Sequence, residues 1–271
     1  MKKRKIRSTM SVFLTTFLLL QIIVLFLYKS FIVDISKKNE KNLVENTLQI
    51  YHNTMESVLE RLDDNLDLLL GYRLLLTQLN GENNLEKVKA QHQMLQILKE
   101  RCKDTKEADA YAIVNCKDNS ILIQRNGNIT YDTIKDIKKY LQKCNTFDKI
   151  PASGWTSTVM GEQVYLVKYY NYGANTIAVL VSEKKLDSLL NYNDMSIKEA
   201  AFYLTDKKGK ILCGSGEDWA YGEAIENLQK QDPSISIYQG SVLEDAYQMY
   251  YSVKSSEYAA YSTSGIVILG F

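Results

Sequence analysis

The sequence predicts an α+β protein: an N-terminal membrane helix, a long amphipathic helix, and two similar modules built on antiparallel sheets. Three observations predict it. An uncharged apolar run lies near the N-terminus, a heptad-like stripe follows it, and one order of strands and helix occurs twice. The chain has 271 residues, 45% of them apolar, with only 13 glycines and 2 prolines. That is enough apolar material for a core and too little Gly and Pro for a disordered or collagen-like chain. The net charge of +1 conceals an asymmetry, because Lys2, Lys3, Arg4, Lys5 and Arg7 fall in the first seven residues. The remaining 28 basic residues face 32 acidic ones. A mildly acidic body lacks the clustered cations that bind phosphate backbones, so no nucleic-acid partner is expected.

Residues 1–9 form a basic tip and 10–33 the membrane anchor. Met10 to Tyr28 carries no charge. At about 1.5 Å per residue such a run crosses roughly 28 Å, the thickness of bilayer hydrocarbon. The apolar stretch exceeds a signal-peptide core, and no Ala-x-Ala cleavage site follows it. Five cations precede the span and only Lys29 follows closely, which puts the N-terminus in the cytoplasm and residues 34–262 outside. The lipid bilayer is thus one expected partner.

Residues 34–107 read as a long helix and a second helix. Val44, Leu48, Tyr51, Met55, Val58 and Leu62 are spaced alternately by four and three, and no Gly or Pro interrupts before Gly71. Two arrangements fit: a stripe packed on the chain's own domain, or a seam joining a homodimer. Asn80-Gly81 marks a turn. A second helix is predicted from about Asn84 to Cys102, with Leu85, Val88, Leu95 and Leu98 on one face and Asn83 or Asn84 as its cap.

The repeat lies in the remaining chain. Residues 110–122 align without gaps to residues 200–212. Each copy is a strand, a polar turn (Lys117-Asp118-Asn119 or Lys207-Lys208-Gly209) and a second strand. A helical pattern follows each hairpin, Tyr131 to Cys144 and Trp219 to Gln231. Strands come next: about Ser157–Met160, Gln163–Tyr170 and Asn175–Ser182 in the first copy. In the second they are about Ser236–Gln239, Ala246–Val253 and Tyr258–Ser262. The modules are therefore 108–192 and 193–262, each an antiparallel sheet with one face packed and one able to hold a ligand.

This layout resembles the extracytoplasmic double Cache sensors of bacteria, which carry tandem PAS-like modules. The resemblance covers about residues 34–262 and rests on element order. It implies that the long helix runs along both modules, that the distal module (108–192) holds a small-molecule ligand, and that the receptor is a dimer. It further implies an output beyond residue 271, by analogy a sensor histidine kinase of a two-component system, with a chemoreceptor or diguanylate cyclase as alternatives. Residues 263–271 (Thr263 to Phe271), apolar from Gly265 onward, read as the opening of a second membrane segment. A rival reading is a membrane-anchored interaction protein whose long helix binds a partner helix.

No catalytic set is expected: the chain has no Gly-x-Ser-x-Gly elbow and no Walker loop. Its two histidines, His52 and His92, are isolated and no Cys-x-x-Cys occurs, so neither metal nor cofactor is expected. Cys102, Cys116, Cys144 and Cys213 read as free thiols or as disulfides of undetermined pairing. Tyrosine is abundant, at 19 residues, and much of it lies on the predicted strands. The candidate ligand residues are Arg125, Tyr131, Trp155, Tyr165 and Tyr169. Arg125 ends a hairpin and could fork onto a carboxylate. The tyrosines offer flat walls with polar tips. The resemblance gives Trp155 the role of a pocket wall. Amino-acid binders of that family carry Arg-x-Trp followed by a later Asp. Here Ser153 stands where the Arg would, and Val179-Leu180-Val181-Ser182-Glu183 offers only Glu183 in place of the Asp.

Overall fold

A computed structural model describes residues 2–126, 129–144, 154–161, 163–190, 200–214, 220–232, 235–243 and 247–254. The chain divides into two compact units, 1–47 and 48–271. Helix α1 spans Lys2–Leu70. Within it, Phe13–Ser36 is long and apolar enough to cross a membrane. Its large apolar side chains, among them Phe13, Phe17, Phe26 and Phe31, are exposed. Lipid would remove that surface from water.

In the second unit α1 ends at Gly71, whose N–H bonds the Asp67 and Leu68 carbonyls. Two short steps complete the helical layer: α2 (Arg73–Leu79) and α3 (Asn84–Asp104). Asn83 caps α3 by accepting from the Leu85 N–H at 3.1 Å. The buried face of α3 is Ala90, Met94, Leu98 and Cys102. Leu85 and Val88, expected on one face with Leu98, are 66% and 60% exposed, and the buried face runs through Ala90 and Met94 instead.

The first sheet has the order β2-β1-β5-β4-β3, all antiparallel. Its strands are β1 (Ala110–Asn115), β2 (Ser120–Arg125), β3 (Thr156–Met160), β4 (Gln163–Tyr172) and β5 (Asn175–Ser182). Helix α4 (Tyr131–Cys144) connects β2 to β3 and covers one face. β1 and β5 are buried at every position, so both faces of the sheet are covered. A helix missed by sequence reading, α5 (Glu183–Leu190), starts where Ser182 Oγ accepts from the Lys185 N–H. It touches β4 and β5.

The second sheet has the order β7-β6-β9-β8. Its strands are β6 (Ala200–Asp206), β7 (Ile211–Gly214), β8 (Ile235–Leu243) and β9 (Tyr247–Lys254). β8 is one strand where Ser236–Gln239 was expected, and a register shift between Gln239 and Val242 carries it on to Leu243. The connecting helix α6 is only Ile225–Gln231. It starts later than Trp219 because the Ile211 N–H bonds the Glu223 carbonyl, holding that segment along β7, and Gly222 sits at φ 78°. The expected strand Tyr258–Ser262 and the apolar end at 263–271 lie outside the described residues. The two hairpin turns each place one residue at positive φ, Asn119 at 58° and Gly209 at 72°, and these are the positions aligned in sequence.

The stripe on α1 packs inward. Tyr51, Met55, Val58 and Leu62 are buried by the chain itself, as are Leu59, Leu66 and Leu69. Tyr51 meets Phe202 of β6 edge-on, ring centres 4.5 Å apart. At these four residues the stripe packs on the chain's own domain, one of the two arrangements that the spacing allows. The side chains of Val44 and Leu48 lie outside the described residues.

Candidate functional site on the first sheet

Antiparallel register fixes which side chains share a face, since directly paired residues point the same way. Across the α4 side, Tyr165 pairs with Ser182, and Thr156, Val167, Leu180, Ala110 and Arg125 form the next row. Tyr169, Ala178, Ala112 and Ile123 form the row after that. The centre of the face is therefore small and apolar, and Ile129, Ile137 and Leu141 close over it. Polar groups gather at its two ends.

One end lies between the C-terminus of α4 and the start of β3. Trp155 is 3% exposed, and its Nε1 finds no acceptor among the described residues. An indole N–H can only donate, so burying it unpaired costs about 1–3 kcal/mol. Beside it in sequence, Thr156 Oγ1 lies 3.0 Å from the Tyr140 hydroxyl and donates to the Val167 carbonyl at 3.1 Å. The hydroxyls of Tyr140 and Tyr169 both reach the Cys144 thiol. Burial pushes the Cys144 thiol up, and pushes the Tyr169 phenol up to about 12. The Asn171 side chain donates to the Cys144 carbonyl at 2.9 Å, which pins the end of α4 onto β4. These are neutral donors and acceptors around an apolar floor, suited to hydrogen-bonding a small organic molecule.

The other end is acidic. Tyr165 is buried and its hydroxyl donates to Gln163 Oε1 at 3.1 Å. Burial, with Asp109 and Glu183 near, pushes its phenol up to about 12. Asp109 is itself buried and accepts from the Ser182 N–H at 2.5 Å. Burial raises its carboxyl above the usual range, while the Ser182 hydrogen bonds and the Lys185 charge pull the other way.

The structure thus brings Tyr165 and Tyr169 to the β4 side of one sheet face, and buries Trp155 in the residue just before β3. It does not bring Arg125 or Tyr131 into that group. Arg125 is exposed and donates to the Ile129 carbonyl at 2.5 Å, a structural use of its fork. Tyr131 is 72% exposed, with Lys135 Nζ 4.6 Å from its ring centre. Sequence reading missed Tyr140, Cys144, Thr156 and Asp109. Only Asp109, a carboxylate inside the apolar run Ala108–Val114, carried a visible signal. Cys102, Cys116 and Cys144 are free thiols.

A scan of protein-family models finds no match, and no curated protein matches the sequence. Solved structures do match in fold. The ligand-binding domain of the Campylobacter jejuni chemoreceptor Tlp3, in complex with L-norvaline, superposes with a TM-score of 0.51 at 12% identity. The match covers 86% of this chain and 96% of that one. The ligand-binding domain of the Pseudomonas aeruginosa amino-acid chemoreceptor PctB, in complex with L-Arg, gives 0.50 at 10% identity, covering 80% and 97%. The chain therefore has the fold of bacterial chemoreceptor ligand-binding domains.

Proposed function

We propose that this chain is the extracytoplasmic ligand-sensing region of a bacterial transmembrane receptor. Its two sheets are tandem Cache modules, and a small molecule binds the α4 face of the first sheet. The observation that carries the binding claim is Trp155, a buried indole N–H with no acceptor among the described residues, one residue before Thr156, whose hydroxyl meets that of Tyr140. A ligand oxygen there would recover the missing hydrogen bond. Support for the tandem reading comes from the paired positive-φ turns at Asn119 and Gly209 and from the shared β2-β1-β5 and β7-β6-β9 order. The orientation rests on the basic tip before the span.

The output would follow residue 271, and the chain itself would not be an enzyme. A histidine kinase is the output by analogy, and a chemoreceptor signalling domain fits equally well, being what the matched solved domains serve. The ligand differs in recognition from a plain amino acid to the extent that Ser153 replaces the arginine of the amino-acid signature. Sensing also requires different affinity in two states of the receptor, which is what moves the equilibrium. The test is thermal unfolding of the full chain in lipid nanodiscs against a broad metabolite panel, with stabilisation by at least one compound expected. No stabilisation by any compound would remove direct sensing and favour a scaffold role.

A further inference from the structure

The face of β4 turned away from the candidate site carries an unusual group. Lys168 is 3% exposed, and its Nζ lies 2.5 Å from Asp63 Oδ2 of α1. Tyr170 donates to the other oxygen, Asp63 Oδ1, at 3.0 Å. One carboxylate on the long helix therefore takes one donor from each of two strand residues two apart. Tyr169 sits between them in sequence, and the pleat turns its side chain to the α4 face.

We infer that Asp63, Lys168 and Tyr170 form the joint that transmits ligand binding on the first sheet to α1. The inference rests on the sensing reading above and adds the residues that would carry its signal. Around the joint α1 packs through Leu59, Leu62 and Leu66, whose contacts are non-directional and permit small slides. The carboxylate does not permit them. Displacing α1 along β4 would strand a buried ammonium without its counter-charge, which costs far more than sliding an apolar contact. Helix and strand must then move together or change partners discretely, and a discrete change is what a switch requires. A ligand that shifts the β4 backbone at Tyr169 shifts Lys168 and Tyr170 with it, the residues on either side. Asp63 lies on the same helix, in sequence, as the apolar span Phe13–Ser36.

The test is amide hydrogen exchange on the full chain in nanodiscs, with a metabolite panel of amino acids, organic acids, amines, sugars and nucleosides as probes. In the wild type, a binding probe is expected to alter exchange in both 163–172 and 48–70. In the triple replacement Asp63→Leu/Lys168→Met/Tyr170→Phe, which removes every polar member together, binding is expected to persist with the strand response intact and the α1 response lost. An undiminished α1 response in that variant overturns the joint while leaving sensing in place. Absence of any probe response in the wild type overturns both. Should the triple variant not fold, Tyr170→Phe gives the comparison by deleting one hydroxyl. A weakened α1 response there with unchanged affinity supports the joint, and an unchanged one overturns it.

Discussion

Trp155 and Asp109 are buried polar residues with opposite predicaments. Trp155 has a donor without an acceptor among the described residues, so Trp155→Phe should leave the stability of the ligand-free protein unchanged or raise it by about 1 kcal/mol. The same change should weaken ligand binding about tenfold, one hydrogen bond's worth, read by calorimetry beside a thermal melt. Asp109 is held above its ordinary range chiefly by burial, so the native state binds its proton more tightly than the unfolded chain does. Stability from this group is therefore fully present below the ordinary aspartate value. It declines as pH rises through the window up to the raised native value and stays lost above it. Asp109→Asn should flatten that decline in denaturant titrations across pH. A wild-type curve rising across the window relative to the variant would contradict the assignment. Cys102, with its thiol pushed up to about 11 by burial, should resist maleimide in the native protein at neutral pH. At this scale the sequence was partly readable. Trp155 stood out as a lone indole behind Gly154, whereas Arg125 looked equally promising and is consumed by the Ile129 carbonyl. Nothing in a one-dimensional string distinguishes a guanidinium facing a ligand from one closing its own loop.

Elements were more legible than sites. The boundaries of α4 are those its periodicity predicts, and Asn83 caps α3 as its residue type suggests. The stripe on α1 was visible, but its partner was not, because heptad spacing is equally satisfied by a second copy or by a sheet. Burial of Leu62 inside the chain predicts that Leu62→Ala costs about 2–5 kcal/mol with the same oligomeric state before and after, checked by melting and native mass measurement. The Asp63–Lys168 pair, 105 residues apart, leaves no sequence signal at all. Its members are unequally buried, at 4% side-chain exposure for Lys168 and 28% for Asp63. Asp63→Leu, which strands the deeper charge, should cost on the order of 3 kcal/mol, and Lys168→Met clearly less. Equal losses in the two variants would mean that packing, not the unpaired ammonium, sets the penalty. Helix α5 went unread because its cap, Ser182, is also the last residue of a strand.

The molecule as a whole joins an apolar helical stretch long enough to span a membrane, a helix continuous with it in sequence, and a fold shared with chemoreceptor ligand-binding domains. An outward-facing body predicts that protease added to intact cells or spheroplasts removes residues beyond the span. Protection until the membrane is opened would reverse the orientation. The fold was legible because element order survives where identity does not, and the second sheet was less so because its bulged β8 runs on past the expected Ser236–Gln239 to Leu243. The central claim, that a small molecule binds against the α4 face of the first sheet, meets its most direct test in the two indole N–H resonances of the full chain labelled with 15N-tryptophan. A compound that stabilises the protein should shift the Trp155 resonance, assigned through Trp155→Phe. A compound that stabilises it while the Trp155 signal stays fixed would contradict the account.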